Sequence, residues 1–182
     1  MSTSSEYSQV SSGERGSVDS EQVERAKREI QGLVQEIAEL SRDLVEAGLG
    51  WTWHPQRVLR SIRARETNVV VATEEDRIAG FAIMDYGETR AHLTLLAVTP
   101  THRRQGVGTK LLAWHEEAAL AAGIEAIELE LRASNHAARR FYQRLGFVEF
   151  ALVRGYYQGV EAAVRMVRDI RRNARAIKVE PL

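Results

Sequence analysis

At 182 residues, 44% of them hydrophobic, the chain has enough apolar material for one ordinary domain with an extension and no room for a second catalytic domain. Its 25 Lys and Arg balance 25 Asp and Glu, which argues against a nucleic-acid-binding protein held by phosphate contacts. The absence of cysteine excludes disulfides, thiolate metal sites and a cysteine nucleophile, so any catalysis must use direct attack or oxygen and nitrogen groups.

Residues 1–19 are rich in Ser, Gly and charge and are expected to be unstructured, although residues 7–10 would supply a first strand if one is needed. The start of the chain lacks an apolar signal segment, and no apolar run reaches the ~18 residues that span a bilayer. A soluble, cytoplasmic protein without a membrane partner is the expectation. The folded domain is expected over residues 20–170, followed by a short basic tail at 171–182.

Asp19 and Gln22 have the spacing of a capping box and open a helix predicted over 19–47, with Gly48 as its stop. Val23, Ala26, Ile30, Leu33, Ile37, Leu40 and Leu44 alternate by three and four, a seam that would join two subunits in a homodimer. Val34, Ala38 and Val45 widen that seam toward the broader stripe of a helix docked on a sheet, which is the better fit. Trp51-Thr52-Trp53-His54-Pro55 then breaks the chain ahead of a short helix at 56–64.

The β-branched runs 68–72 and 78–86 flank the acidic turn Glu74-Glu75-Asp76 and read as an antiparallel hairpin, extended by a strand at 91–98. Next comes His102-Arg103-Arg104-Gln105-Gly106-Val107-Gly108 at the head of a helix predicted over 108–122. Glycines at 106 and 108 would let the backbone approach an anion, the helix start would aim unpaired N–H groups at it, and Arg103 and Arg104 would add cationic donors. By itself such a turn can equally be a plain strand-to-helix junction with solvated arginines. After the Gly123 stop, a strand at 124–131 must be the parallel neighbour of 91–98, because the helix crosses over between them. Alternation sends Glu128 and Glu130 to one face of that strand and Ile127, Leu129 and Leu131 to the other. A short helix carrying Phe141-Tyr142 follows Asn135, and strands at 147–156 and 161–167 close the domain around Gln158-Gly159.

Three ordered motifs lie between Leu96 and Phe147: Leu96-x-Val98-x-Pro100-x-x-Arg103-Arg104-x-Gly106-x-Gly108, Glu130-Leu131-Arg132-Ala133-Ser134-Asn135, and Ala138-Arg139-Arg140-Phe141-Tyr142-x-x-Leu145-Gly146-Phe147. Their order and spacing resemble the GNAT superfamily of acyl-CoA-dependent N-acyltransferases. Leu129 to Asn135 and Arg154-Gly155-Tyr156-Tyr157 resemble the RimI-type N-terminal protein acetyltransferases within it. The resemblance implies a mixed α/β fold, a mainly antiparallel twisted sheet with flanking helices, whose central parallel strands splay into a V-shaped cleft for acyl-CoA. It implies acetyl-CoA as donor, with the pyrophosphate on Arg103, Arg104, Gln105, Gly106, Val107, Gly108 and Thr109. The pantetheine amides would lie on the backbone of Leu96, Ala97 and Val98, and no metal is called for.

The same resemblance makes Glu130 the general base, directly or through water, and Tyr142 the group that protonates the departing thiolate. Asn135 would touch coenzyme A, and locally it also suits the cap of its helix. Tyr156 and Tyr157, with Trp53 and Glu128, would face the acceptor, although cross-strand packing for the tyrosines and a hydrophobic plug for the tryptophan are the bland alternatives. Tyr142 has such an alternative too, as a core aromatic. An α-amine, with a pKa near 7.7–8.0, is substantially neutral at neutral pH, whereas lysine costs about 4 kcal/mol to deprotonate, so the base need only be modest. The acceptor is expected to be a protein or peptide α-amine. The alternatives are a small amine such as a polyamine, aminoglycoside or amino acid, or a non-catalytic acyl-CoA-binding module. His54, His92, His102, His115 and His136 lack metal-ligand spacing, and His115 is expected on the surface of its helix.

Overall fold

The computed structural model describes residues 6–9 and 20–171. They form β1 (Glu6–Gln9), α1 (Ser20–Leu40), a π-helical turn (Ser41–Val45), α2 (Pro55–Arg63), β2 (Thr67–Glu74), β3 (Arg77–Tyr86) and β4 (Arg90–Val98). A 3₁₀ turn (Pro100–His102) leads into α3 (Val107–Ala121), β5 (Ala126–Arg132), α4 (His136–Arg144), β6 (Val148–Tyr157) and β7 (Glu161–Asp169). The result is a mixed α/β fold, and no described helix is long and apolar enough to cross a membrane. Two compact units divide these elements: the chain up to Ile83 with Leu95–Leu112, and Met84–Thr94 with the chain from Ala113 onward.

In the first unit the strands neighbour one another in the order β1, β2, β3, β4. β1 pairs antiparallel with β2 from Glu6↔Thr73 to Gln9↔Val70. This corrects the expectation of an unstructured start for four residues, because the outer N–H and C=O groups of β2 gain partners when an added strand takes them. The rest of 1–19, including the cap assigned to Asp19, and the tail at 172–182 lie outside the described residues. The β2–β3 turn is the two residues Glu75 and Asp76, with φ of 49° and 61°, the left-handed pair that matches the twist of a tight hairpin. Val34, Ile37 and Ala38 of α1 pack in one core with Trp53, Val58, Ile62, Val69, Val71, Phe81, Ile83, Leu95 and Ala97, so the broad stripe docks as its width suggested.

The helix predicted as far as residue 47 is α-helical only to Leu40. There the Glu46 N–H bonds Ser41 O at 2.9 Å, one residue wider than an α-turn, and Gly48 ends the element at φ 78°. The wider turn stacks Glu46 above buried Ser41 and carries its carboxylate inward.

In the second unit the neighbours run β4, β5, β7, β6. The expected parallel pair is present, from Arg90↔Ala126 to His92↔Glu128, and β4 continues beyond it to Val98. β7 lies antiparallel between β5 and β6. Ile127, Leu129 and Leu131 are buried while Glu128, Glu130 and Arg132 take the other face, as alternation requires.

Gly80 of β3 sets how closely helix and sheet meet in the first unit. A Cβ there would lie 2.9 Å from Ala97 O, 3.0 Å from Val107 Cγ1 and 3.3 Å from Leu111 Cδ1. The first contact is with backbone and cannot be relieved by a rotamer change. Gly80→Ala is expected to cost about 1–3 kcal/mol of stability, read by denaturant unfolding.

Candidate active site

The first unit holds the turn that leads into α3. Thr99 is tied back to β3, its N–H and Oγ1 both bonding Ala79 O at 2.9 and 3.0 Å. His102 is held between Thr99 Oγ1, 2.6 Å from Nδ1, and Glu74 Oε2, 2.7 Å from Nε2. From this anchored turn Arg103 donates to Val98 O at 3.3 Å and Gln105 donates to Thr101 O at 2.8 Å. Arg104 and Gly106 adopt φ of 67° and 84°, and α3 starts directly at Val107. Of the two glycines singled out, Gly106 therefore provides the left-handed turn. Gly108 sits with Thr109 inside the first turn of α3, where N–H groups have no partner within the helix. A Cβ at Gly106 would meet nothing within 4 Å.

The second unit supplies a row of ionisable side chains. Glu130, with its side chain only 10% exposed, is engaged through both oxygens: Oε2 lies 2.5 Å from His92 Nε2 and Oε1 accepts from Arg165 Nε at 2.9 Å. The His92 hydrogen bond is the main influence holding the Glu130 carboxyl below the usual carboxylate range, and burial opposes it. The same bond, helped by Asp85 and opposed by burial and Arg165, raises the His92 pKa. Glu128 pairs with Arg90 and lies 3.8 Å from Arg165, so the expected acceptor contact is an ion-paired residue here. His92 and Arg165 carry this row and were not singled out by sequence. The available signal was positional, since His92 faces Glu128 in the parallel register and Arg165 faces Glu130 in the antiparallel one.

Tyr142 is buried, ring to ring with Phe141 at 5.0 Å and Phe147 at 5.4 Å. Burial, then the nearby Tyr157, pushes its phenol well above the ordinary value, so it stays protonated through the neutral range. Asn135 caps α4, its Oδ1 accepting from Ala138 N at 3.1 Å. A register shift between Val153 and Tyr157, with Gly155 at φ 64°, re-aims the Tyr156-Tyr157 pair, whose rings sit 5.0 Å apart. Burial, then the nearby Glu130 charge, raises the Tyr156 phenol above its ordinary value. His115, expected at the surface, is buried, with Nδ1 3.2 Å from Tyr86 Oη. A hydroxyl partner makes that burial tolerable.

Trp53, expected against the acceptor, belongs to the first unit's core, with the Arg57 guanidinium 4.0 Å over its ring. The cause is Glu46, whose buried carboxylate accepts from Thr52 N at 3.0 Å, Trp53 N at 3.0 Å and Thr52 Oγ1 at 2.5 Å. That clasp turns the indole inward and leaves Thr52 and His54 exposed.

A family model described as "Acetyltransferase (GNAT) family" matches residues 34–147. The chain belongs to the GNAT acetyltransferase family. It is an N-acetyltransferase. Among its relatives, the [ribosomal protein bS18]-alanine N-acetyltransferase of Salmonella typhimurium is 40% identical over 101 residues, covering 54% of this chain and 68% of that protein. N-alpha-acetyltransferase 30 of Schizosaccharomyces pombe is 36% identical over 98 residues, covering 50% of this chain and 65% of that protein. The crystal structure of the ribosomal-protein-S18-alanine N-acetyltransferase from Escherichia coli superposes with a TM-score of 0.65 at 28% identity, over 75% of this chain and 87% of that one.

The Glu46 clasp gives this acetyltransferase a testable stability element. Glu46→Ala strands two backbone N–H groups and is expected to cost about 3 kcal/mol in denaturant unfolding, with Glu46→Gln, which keeps one acceptor, losing less.

Proposed function

We propose that this N-acetyltransferase moves the acetyl group of acetyl-CoA to the N-terminal α-amine of a protein or peptide, a ribosomal protein being the first candidate. The observation that carries the reading is the 40% identity to the Salmonella typhimurium alanine N-acetyltransferase. The residues of the turn before α3 fit the donor: Gly106 at φ 84° beside open space, Arg103, Arg104 and the start of α3 suit a pyrophosphate. Leu96, Ala97 and Val98 lie past the β4–β5 pairs, which end at His92↔Glu128, so their backbone suits the pantetheine amides.

In this reaction the amine attacks the thioester carbonyl directly, in a ternary complex. Glu130 supplies the negative charge that favours loss of the amine's proton. Tyr142, kept protonated by burial, donates a hydrogen bond to the sulfur as the carbon–sulfur bond breaks. The departing thiolate is a far weaker base than the Tyr142 phenolate would be, so it needs stabilisation more than a complete proton from so weak an acid. Tyr156 and Tyr157 line the acceptor side, Asn135 both caps α4 and meets coenzyme A, and Glu128 holds the register of charges beside Glu130.

The test is thiol release from acetyl-CoA against peptides with free and blocked N-termini, alongside polyamines, aminoglycosides and amino acids. Turnover confined to free peptide N-termini is expected, and turnover confined to a small amine would overturn the reading. Arg103→Ala and Gly106→Val should each weaken acetyl-CoA binding about tenfold or more by calorimetry. Tyr142→Phe should leave that binding intact and lower kcat by about 10- to 100-fold.

A further inference from the structure

We propose that the proton acceptor for the attacking amine is His92, through Nδ1, and that Glu130 acts as the carboxylate that orients and charges it. The inference rests on the acetyl-transfer reading and changes which atom does the chemistry. Its ground is access. Glu130 is 10% exposed, with Oε2 committed to His92 at 2.5 Å and Oε1 to Arg165 at 2.9 Å, whereas the His92 side chain is 44% exposed. An incoming amine therefore meets the imidazole before it can meet either carboxylate oxygen. With Glu130 ionised, Nε2 carries the hydrogen of the pair and Nδ1 holds the lone pair, the arrangement in which a carboxylate behind an imidazole makes it a better base.

The charged surroundings agree. Asp85 of β3 and Glu130 of β5 favour the imidazolium and Arg165 of β7 opposes it. Arg90 of β4 is taken up by Glu128 of β5, and the Glu130 charge also raises the Tyr156 phenol of β6. The resulting upward shift makes His92 a stronger base than an isolated imidazole, which favours general-base catalysis. A carboxylate held below its usual range is a poor final acceptor for the same proton.

The amine's lone pair forms the N–C bond to the thioester carbonyl, its N–H bond breaks, and the proton bonds His92 Nδ1 to give an imidazolium paired with Glu130. Collapse of the tetrahedral intermediate breaks the C–S bond, the thiolate leaves against Tyr142, and the imidazolium returns its proton to solvent.

The experiment follows kcat from pH 5.5 to 9 for the wild type, His92→Gln and Glu130→Gln, with saturating acetyl-CoA and free-N-terminal peptide. Histidine NMR reports the tautomer and titration of His92, and calorimetry of acetyl-CoA verifies the integrity of each variant. His92→Gln should lower kcat about 100-fold or more with acetyl-CoA affinity kept within about twofold. The wild-type acid limb should follow the NMR titration of His92, seen as an Nε2–H tautomer gaining a proton as the pH falls. Glu130→Gln should move limb and titration together to lower pH, since it removes the group that raises His92; this comparison decides the matter should His92→Gln fail to fold. A kcat for His92→Gln within about threefold of wild type, or a limb that ignores the His92 titration, overturns the inference while acetyl transfer stands. A wild type that transfers acetyl to no amine defeats both.

Discussion

Glu130 shows what a largely buried carboxylate demands of its surroundings. Covered to the extent of 10% exposure, it persists as an anion because His92 on one side and Arg165 on the other replace the water it has lost. Those partners stand 38 and 35 residues away along the chain, and only two adjacent ladders, one parallel and one antiparallel, bring them to either side of β5. The second unit's topology is thus tied to its charge arrangement: with β6 rather than β7 beside β5, Arg165 would not face Glu130. Arg165 extends the row further, its guanidinium lying 5.0 Å over the Phe150 ring of β6.

The first unit solves a different problem, that of presenting backbone N–H groups without losing the loop that carries them. Its 3₁₀ turn is bound to β3 through Thr99, and its left-handed residues Arg104 and Gly106 reverse the chain into α3. Gly80 lets Val107 and Leu111 come within contact of the strand beneath. A non-glycine residue in the left-handed region, as at Arg104, is uncommon and is maintained here by the anchored turn on one side and the helix on the other.

Between α1 and α2 a buried acid again organises a segment. Glu46 gathers the N–H groups of Thr52 and Trp53, and the wider helical turn at Ser41–Val45 is what brings its carboxylate to them. The arrangement exchanges helix regularity for a fixed loop. Indoles that look free in the sequence are thereby drawn into packing, with Trp51 Nε1 donating to Trp53 O at 3.1 Å and Arg57 resting on Trp53.

Local pattern made much of this legible. The alternation of β5, the cap at Asn135 and the turn before α3 each depend on residues within a few positions of one another, and each lies where the sequence placed it, while the acidic hairpin turn is one residue shorter than expected because Glu74 belongs to β2. The parallel pairing of β4 with β5 followed from the crossover helix, which allows no other geometry at that length. What escaped was long-range. His92 read as a histidine without a role, Arg165 drew no reading, His115 read as surface and Trp53 as either an acceptor contact or a hydrophobic plug, because the neighbours that define each role come from other strands or other turns. The sequence by itself determined which faces are apolar, where the chain turns and which residue types stand at the motif positions, since these are properties of short windows with periods of 2 and 3.6 residues. Only the tertiary structure decided which charge meets which, because strand order and register choose among pairings that local periodicity leaves equivalent.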